Sequence, residues 1–442
     1  MSKVKYPKYK PSKTLWQEQI PSHWQETELR MLFADNKHKN IELVERNLLS
    51  LSYGKLKRKD IDNATGLVPA SFEGYQIIDE GYIVLRFTDL QNDKKSLRVG
   101  YANEKGIITN AYIGLSPKAY IHSKYYYYQL HFLDKIKYFY NLGGGVRQSL
   151  AYKEFGRETV LIPDMKEQIR IANYLDYKIA MAERFIRKKR QILSLYVERR
   201  KSLTRKLVNS ETVKFLRLSS IAPPIQRPIN RNDNVLYTPV GLYNRGRGLF
   251  HKEPTLGSEL GDSNFYYIKK DDVILSGQFA WEGSVALVGV DDENCIASHR
   301  YPVLNCNTDI IIPEYLFSFF TISDGHFFLD YHSKGAAGRN RPLNPRTIIK
   351  EKIPVPDIKL QAKLIELIEQ ENELKSLINN EITLVEEYKT ALIAEAVTGK
   401  IDVRDFEIPE IVEEESYEEL EEELSIVADG ETKYESDENP NY

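Results

Sequence analysis

The sequence predicts an α+β fold in which two mixed α/β modules alternate with two long helices. Three observations support this prediction. The two halves of the 442-residue chain repeat one another, each half ends in a long segment without Gly or Pro, and short strands separated by turn residues precede each of these segments. At about 150 residues per domain, the length allows roughly two to four domains.

The repeat consists of matched segments that follow one another in the same order, at an offset of about 190 residues. The matched pairs are residues 53–58 with 243–248, 82–86 with 272–276, 109–112 with 298–301, 125–130 with 315–320, 143–150 with 336–343, and 162–164 with 355–357. A shared order at a nearly constant offset indicates that one unit has been duplicated.

Each half ends in a segment typical of one long helix. Residues 166–208 are 43 residues without Gly or Pro, and their apolar positions recur at a spacing of three and four. At about 1.5 Å per residue, this helix is a rod of roughly 65 Å. Residues 360–398 repeat the pattern over 39 residues, and Gly399 supplies a C-terminal stop.

A narrow apolar stripe on so long a helix needs a second long helix to cover it, and the repeat supplies one. The predicted pairing residues are Leu175, Ile179, Ile186, Leu193 and Leu203 on the first helix and Leu367, Leu374, Ile378, Val385 and Leu392 on the second. Lys189 and Arg200 interrupt the first stripe, and Glu371 and Glu381 interrupt the second. Two interpretations fit: opposite charges that match across the pair, or positions that are partly exposed.

Domain boundaries follow from these segments. We expect a basic N-terminal segment at residues 1–21, modules at 22–163 and 211–356, long helices at 164–210 and 357–400, and a tail at 401–442. Inside the modules, short strands and turns are predicted within 76–87, 107–115, 272–275 and 285–290.

The net charge of -3 conceals an uneven distribution along the chain. Residues 410–442 contain fourteen acidic residues and one lysine, so the preceding residues carry a net charge of +10. A positive body is typical of a protein whose partner is a polyanion. The tail has too few apolar residues to fold alone, and we expect it to be disordered.

Composition argues against secretion, membrane insertion and a structural metal. No apolar run approaches a membrane span of about 18 residues, and the five lysines in residues 1–13 have no apolar stretch behind them. Cys295 and Cys306 are too few for a disulfide framework or a four-ligand zinc site. The sequence therefore predicts a cytoplasmic protein with two incidental thiols.

Motifs for catalysis are absent from the sequence. There is no Gly-x-x-x-x-Gly-Lys-Ser/Thr for ATP, Asn344-Pro-Arg346 fails as an adenine-methylation motif, and the 143–145 glycines follow a helical stretch instead of a strand. Asp357 and Lys389 lie about 45 Å apart along one predicted helix, too far to share a metal. The eight histidines show no metal-ligand spacing.

A combination of motifs identifies a possible family. Each module closes with an apolar-proline step, as in Lys352-Ile-Pro-Val-Pro356, and each long helix begins with Asp-x-x-x-Gln, at Asp164-Met-Lys-Glu-Gln168 and Asp357-Ile-Lys-Leu-Gln361. With Ile20-Pro-Ser-His-Trp24 near the start, this doubled arrangement resembles the specificity subunit of type I DNA restriction-modification enzymes. The resemblance covers residues 12 to about 405, and the first half departs from it by lacking the second proline after Pro163.

The resemblance implies a complete working plan. The modules are target recognition domains that each read one half of a bipartite sequence in double-stranded DNA. The helices pair as an antiparallel coiled coil, set the unread spacer and dock two modification subunits. Those subunits methylate adenine with S-adenosylmethionine, and two restriction subunits using ATP and magnesium can join them. The chain itself is expected to be non-catalytic and to bind no metal or cofactor.

Candidate DNA contacts are basic, amide and aromatic side chains at matched positions of the two modules, because phosphates attract cations and base edges accept or donate hydrogen bonds. They are Lys55, Lys57, Arg58, Lys59, Arg86 and Arg147 in the first module and Arg245, Arg247, Gln278, Trp281, Arg339 and Arg341 in the second. We interpret residues 55–59 with Arg245 and Arg247 as a doubled basic turn. The competing interpretations are solvated loops, glycine turns that need positive φ and a buried Trp281, whereas packing is favoured for the tyrosine run 125–128.

Two other functions remain open from the sequence. One is a stand-alone DNA-binding regulator with two reading modules, for which the basic residues 184–190 on the first helix would meet phosphates instead of an acidic partner. The other is a structural protein with two unrelated binding modules, for which the positive body would be a coincidence.

Overall fold

The computed structural model of the protein describes residues 4–62, 71–90, 97–118, 120–142, 149–335 and 341–408. The chain divides into two compact units, each containing a module and parts of the two long helices. The first unit contains the chain up to Glu183 and from Val385 onward, and the second contains Arg184–Leu384. Among the described residues, no helix is long and apolar enough to cross a membrane.

The first unit is mostly β-structure. Its strands are β1 (Tyr9–Pro11), β2 (Gln19–Pro21), β3 (Gln25–Glu28), β4 (Phe33–Asp35), β5 (Leu48–Ser52), β6 (Lys55–Lys59), β7 (Gln76–Ile78), β8 (Ile83–Leu85), β9 (Val99–Tyr101), β10 (Gly106–Ile108), β11 (Ile113–Pro117) and β12 (Thr159–Ile162). Its helices are α1 (Leu29–Leu32), α2 (Ser123–Lys135), α3 (Tyr152–Phe155) and the first part of α4 (Met165–Val208).

Two four-stranded sheets organise this module, with strand orders β6-β5-β10-β7 and β4-β11-β8-β9. The predicted strand segment 76–87 is therefore divided between two sheets, with β7 in one and β8 in the other. A separate antiparallel pair, β3 with β12, joins the beginning of the module to its end, with Gln25 opposite Ile162 and Glu28 opposite Thr159.

The core of the first unit is rich in aromatic side chains from α2. Tyr125 and Tyr126 are fully buried and Tyr128 is 5% exposed, so the prediction that this tyrosine run packs internally is confirmed. Leu175 of the first long helix and Leu392 of the second belong to the same cluster. The two helices therefore help to build the core of this unit.

The N-terminal residues are packed into this core. The Tyr6 hydroxyl donates a hydrogen bond to the Glu167 carboxylate at 2.6 Å, and the Trp24 indole N–H donates to the same carboxylate at 3.1 Å. Glu167 is 2% exposed, and these donors satisfy a charge that would be costly to bury alone. The start of the chain is thereby attached to the beginning of α4.

The second unit has shorter strands. They are β13 (Lys214–Arg217), β14 (Leu236–Tyr237), β15 (Val240–Leu242), β16 (Leu249–His251), β17 (Thr255–Leu256), β18 (Phe265–Tyr267), β19 (Asp272–Leu275), β20 (Val285–Leu287), β21 (Ile296–Ser298), β22 (Val303–Asn305) and β23 (Lys352–Val355). Its helices are α5 (Leu218–Ile221), α6 (Pro313–Phe320), α7 (Ser323–Tyr331), α8 (Pro345–Ile348), α9 (Ile358–Gln361) and, in part, α4 and α10 (Lys363–Val397).

The second module repeats the plan of the first. Its central sheet has the order β20-β19-β22, and β13 pairs antiparallel with β23 as β3 pairs with β12. Tyr315 of α6, at the position matching Tyr125 of α2, is fully buried together with Phe319 and Phe320, and Leu207 and Leu364 pack in the same core.

The two long helices begin in the same way, which explains the Asp-x-x-x-Gln motif. Asp164 and Asp357 accept hydrogen bonds from backbone amides of the first turn, at 2.9 Å in both cases. The Gln168 side chain donates to the Pro163 carbonyl at 2.9 Å, and the Gln361 side chain donates to the Pro356 carbonyl at 2.8 Å. Each module is thus fastened to the helix that follows it.

The predicted helix boundaries are largely confirmed. α4 is one helix of 44 residues, against a predicted span of 166–208. The second predicted helix, 360–398, is split at Ala362 into α9 and α10. The backbone N–H of Ile365 donates a hydrogen bond to the carbonyl of Ala362, only three residues earlier, which tightens the helical turn at this point. The prediction of an α+β fold with two long helices in contact is confirmed.

Candidate nucleic-acid interface

The basic segment of the first module is a strand and not the predicted turn. The turn that joins β5 to β6 consists of Tyr53 and Gly54, both with positive φ, as two-residue hairpin turns favour. Lys55, Lys57, Arg58 and Lys59 lie on β6, an edge strand of its sheet. The sequence repeat aligned these lysines with a loop, and it could not show that the hairpin reverses before them.

Strand alternation divides the basic residues of β6 between two faces. Lys55, Lys57 and Lys59 share one face, and Leu56 on the other packs against the core. The Lys55 ammonium lies 3.6 Å from the carboxylate of Glu183 on α4. The result is a row of three lysines along an open sheet edge, a geometry suited to successive phosphates.

Arg58 lies on the opposite face and has a carboxylate partner. Its Nε lies 2.8 and 2.9 Å from the two oxygens of Glu104. Hydrogen bonding to Arg58 lowers the pKa of Glu104 and, in return, raises the pKa of Arg58. A base-reading role for Arg58 would require that it leave this ion pair.

The remaining candidates of the first module and one of the second are less informative. Arg86 follows β8, is partly exposed, and its backbone amide bonds the Arg98 carbonyl at 2.9 Å. Arg147 and Arg339, together with the glycines that precede them, lie outside the described residues. The acidic residues 410–442 also lie outside the described part of the chain.

In the second module the basic residues do lie in a turn. Arg245 and Arg247 belong to the loop between β15 and β16, and Arg245 adopts φ 57°, which is unusual for a residue other than Gly. The backbone N–H of Arg245 donates a hydrogen bond to the Glu282 carbonyl at 3.1 Å, and the backbone N–H of Gly246 donates one to the Gly283 carbonyl at 2.8 Å. These bonds hold the turn in shape while the Arg245 side chain stays exposed.

Trp281 is partly exposed and covered by a guanidinium group. The Arg341 guanidinium lies 5.0 Å from the centre of the Trp281 ring, and Arg341 also forms an ion pair with Asp330 at 2.7 Å. The Trp281 indole N–H is buried without a hydrogen-bond partner among the described residues. The sequence left a stacking or a buried Trp281 open, and the structure gives an intermediate arrangement.

Three segments that are distant in sequence form one surface in the second unit. The 276–283 loop forms hydrogen bonds with the Arg245 turn through the carbonyls of Glu282 and Gly283. Its Gly277 carbonyl accepts a hydrogen bond from the Leu343 amide at 2.9 Å. Gln278 is exposed on this loop. The sequence repeat placed Arg245, Gln278 and Arg341 in one module, and the structure places their segments side by side.

Glu282 organises this surface, and sequence reasoning missed it. Besides the bond through its carbonyl, its carboxylate accepts a hydrogen bond from the Asn244 side chain. An acidic residue is an unexpected component of a polyanion-binding surface, and no spacing rule indicates it. Lys375, whose ammonium donates to the Arg247 carbonyl at 3.1 Å, was also missed because it lies on α10.

The charged residues that interrupt the helix stripes form ion pairs with one another in the second unit. Lys189 lies 2.6 Å from Glu381, and Arg200 lies 2.8 Å from Glu371. From Lys189 to Arg200 the residue number rises along α4, whereas their partners on α10 fall from Glu381 to Glu371. These parts of α4 and α10 therefore run antiparallel. Of the two interpretations that the sequence left open, the opposite-charge match is therefore confirmed, and the two ion pairs define the register of these helix segments.

The apolar pairing residues are covered to different extents. Fully covered, at 5% exposure or less, are Leu175, Ile186, Leu367, Ile378 and Leu392, and partly covered are Ile179, Leu193, Leu203, Leu374 and Val385. None of the ten is freely exposed, as expected for the inner stripe of a helix pair.

The described residues offer little for metal or thiol chemistry. They contain no group of three or more His, Cys, Asp or Glu side chains arranged to hold a metal ion. Burial raises the pKa of Cys306 to about 12 and also raises that of Cys295, so both remain thiols at neutral pH.

Comparison with known proteins gives a similar fold and a family model that matches part of the chain. A chain from a structure described as the structural basis underlying complex assembly and conformational transition of the type I R-M system has a TM-score of 0.51 and 13% identity, over 86% of this chain and 99% of that one. Residues 223–386 match the family model of the type I restriction modification DNA specificity domain. The chain thus shares a fold with that structure, and its residues 223–386 are similar to the type I restriction modification DNA specificity domain.

Two further solved structures are similar to this chain at lower scores. The S subunit of a type I restriction-modification system from M. genitalium has a TM-score of 0.43 and 12% identity, over 85% of this chain and 96% of that one. The subunit from Thermoanaerobacter tengcongensis has a TM-score of 0.38 and 12% identity, over 86% and 98%. A comparison with curated protein sequences gives no match.

The segment matched by the family model contains the surface described in the second module. Residues 223–386 include the Arg245 turn, the 276–283 loop and Arg341. The matched region therefore includes a surface that carries basic, aromatic and amide side chains.

Proposed function

We propose that this chain is the specificity subunit of a type I restriction-modification complex and directs that complex to a bipartite DNA target, with one module reading each half-site. The observation that carries the proposal is the duplicated module with a basic element at the same point of each copy, β6 in the first and the Arg245 turn in the second. Two such elements on one chain suit two separated patches of one duplex.

In the first module, we assign phosphate contact to Lys55, Lys57 and Lys59. Lysine ammonium groups make point-charge contacts that position a protein on DNA without reading sequence. Arg58 and Arg86 are the candidates for base contact, and Arg58 must first exchange Glu104 for a base edge. Arg147 is assigned to phosphate from its glycine-rich context in the sequence.

In the second module, we assign sequence reading to Arg245, Gln278 and Trp281. Arginine pairs with guanine and glutamine with adenine in the major groove, and an indole ring can stack on a base. Arg247, Arg339 and Arg341 are assigned to phosphate. Arg247 and Arg341 each lie about 5 Å from an aromatic ring in this structure, Tyr243 and Trp281 respectively, so their guanidinium groups are held in place before DNA arrives.

We assign the spacer and partner docking to the paired helices. In the second unit they leave five large apolar side chains on the surface, at exposed fractions between 39% and 68%: Phe185, Ile192, Leu195, Leu377 and Leu384. Exposed apolar side chains beside the filled inner stripe favour contact with another protein. We propose modification subunits as that partner, with two copies per specificity subunit and restriction subunits joining them.

Catalysis would then be carried out by the partner subunits. The modification subunits would use S-adenosylmethionine to methylate adenine, and the restriction subunits would use ATP and Mg for cleavage. The specificity subunit would supply the address without catalysis.

The test is a methylome of cells that express this chain with its cognate modification subunit, compared with cells that lack this chain. We expect adenine methylation at one split motif with a fixed gap only when the chain is present. No new motif, despite a purified complex whose modification subunit is active with another specificity subunit, would contradict the proposal.

The alternative is a stand-alone DNA-binding regulator, which the exposed Lys188 and Arg190 on α4 would support if they meet phosphates. Binding of the isolated chain to its target decides between the two. Affinity that appears only after the modification subunit is added supports the specificity-subunit proposal, and full affinity of the chain alone supports the regulator.

A further inference from the structure

One buried cation in the second unit contacts both long helices and the recognition module. Arg200 of α4 has a side chain that is 2% exposed. Its Nε lies 2.8 Å from the Glu371 carboxylate on α10, and a terminal nitrogen donates to the Thr321 hydroxyl, just after α6, at 3.0 Å. Its guanidinium carbon also lies 4.9 Å from the centre of the Phe317 ring. We call these four residues the Arg200 junction.

A buried ion pair is a poor choice for stability alone. Removing two charges from water costs several kcal/mol per ion, and apolar residues of similar volume often stabilise such a site better. An ion pair with fixed hydrogen bonds does, however, select one geometry over its neighbours. The Arg200 junction is therefore suited to fixing a register and an orientation.

The junction lies directly beneath the basic turn of the module. A Cβ atom on Gly246 would come within 2.6 Å of the Thr321 methyl group, so the turn rests on this residue. From the other side, the Lys375 ammonium of α10 donates to the Arg247 carbonyl. The orientation of the Arg245 turn is thus determined by the same helices that the Arg200 junction holds.

The first unit contains a related arrangement at the positions that the repeat predicts. Lys389 of α10 matches Arg200 at an offset of 189 residues, and its ammonium lies 3.4 Å from Glu183 of α4. His131 of α2 matches Thr321 at an offset of 190. Burial, followed by the charges of Lys135 and Lys389, lowers the pKa of His131 to about 4. The Glu183 carboxylate also forms an ion pair with Lys55 of strand β6.

We propose that Arg200 and Lys389 are positioning residues that fix each recognition module on its pair of helix segments, and thereby fix the gap between half-sites. This inference rests on the proposed function. Neither residue needs to touch DNA. Each connects the helix pair to the element that carries the basic side chains, through Thr321 and Gly246 in the second unit and through Glu183 and Lys55 in the first.

The experiment compares methylation at the native gap with methylation at gaps one base pair longer and shorter, in the complete modification complex. The variants are Arg200→Met, Arg200→Lys and Glu371→Gln, with Lys389→Met for the first unit. The matched control is Lys189→Met, because the described partners of Lys189, Glu381 and the Phe185 ring, all lie on the two helices. Thermal unfolding and size-exclusion chromatography show whether each variant folds and assembles.

We expect the ratio of native-gap to altered-gap methylation to fall about tenfold in Arg200→Met, equivalent to about 1.4 kcal/mol of discrimination. Arg200→Lys should recover part of that ratio, and Lys189→Met should keep it. If Arg200→Met does not fold, Glu371→Gln and Thr321→Val provide the same comparison.

Two results overturn the inference alone: an unchanged gap ratio in folded Arg200 and Glu371 variants, or an equal loss in Lys189→Met. If the unaltered protein directs no methylation to a split motif, the proposed function fails first, and the inference fails with it.

Discussion

Gln168 donates a hydrogen bond to the carbonyl oxygen of Pro163 at 2.9 Å and accepts one from the backbone amide of His122 at 3.0 Å. It is 3% exposed, and one side chain therefore connects the last step of the module, the start of α2 and the first turn of α4. Gln361 repeats these contacts in the other half, with Pro356 and Ile312.

Replacing either glutamine should destabilise its unit. Gln168→Ala or Gln361→Ala leaves buried backbone groups without partners, which typically costs about 1–3 kcal/mol. Chemical denaturation of the purified chain measures the loss. Gln370→Ala is the control, because Gln370 is exposed and its hydrogen bond within the described part of the chain is to Glu366 on its own helix. Its variant should lie within about 0.5 kcal/mol of the parent. Equal effects at all three positions would show that burial of the glutamine is irrelevant.

Removing the Arg245 side chain should weaken DNA binding by the complex in a sequence-dependent way. A bidentate contact to guanine is worth about 1–3 kcal/mol, so Arg245→Ala should relax one base position of the half-site read by the second module. Lys57→Ala, by contrast, should weaken binding about equally on all sequences and lower the salt dependence by about one phosphate contact. Titrations against target and random duplexes at several salt concentrations separate the two effects. A uniform loss in Arg245→Ala, or a sequence-dependent loss in Lys57→Ala, would contradict this assignment.

Shortening the helices should shorten the gap without altering either half-site. Four residues correspond to about 6 Å of helix, close to two base pairs at about 3.4 Å each. The deletion lies within residues 188–198, and the version that preserves pairing removes 191–194 together with 377–380, which face one another in the register set by Lys189–Glu381 and Arg200–Glu371. Methylome sequencing reads the result. A changed half-site with an unchanged gap would show that the helices do not measure the spacer.

Acid should destabilise the first unit through His131. The pKa of this buried side chain is lowered to about 4, from about 6.5 in an unfolded chain, so the folded state excludes the proton. Its contribution to stability is therefore present above the unfolded pKa and is lost as pH falls towards the folded pKa, by about 2 kcal/mol between pH 7 and 5. His131→Gln should lose less over that interval than the parent chain. Parallel denaturation curves at the two pH values test this, and identical pH slopes would exclude His131 as the cause.

The division of the chain into modules and long helices was predictable from the sequence because it depends on repeats and on the spacing of apolar residues. A repeat of about 190 residues and two long segments without Gly or Pro defined the modules and helices. The four charges that interrupt the apolar stripes indicated an opposite-charge match, and the structure shows which of them pair. These signals depend on local spacing, which a single chain displays in full.

The details of the candidate site were less predictable because they depend on tertiary contacts. Lys55 to Lys59 align with a turn, yet the hairpin reverses at Tyr53 and Gly54 and leaves the lysines on a strand. Glu282 and Lys375 shape the Arg245 turn from segments that no local pattern connects to it. The Arg200 junction was visible only as an interrupted stripe, and its contact with Thr321 required the fold.

The pairing of β3 with β12, and of β13 with β23, means that each module begins and ends at neighbouring points. A module is thus an insertion with its two ends fastened together, and its interior can change without moving those ends. Recombination that exchanged the sequence between Glu28 and Thr159 for another module would leave the helices, the Gln168–Pro163 hydrogen bond and the other module as they are. New specificities could arise in this way by exchange of whole cassettes instead of gradual substitution.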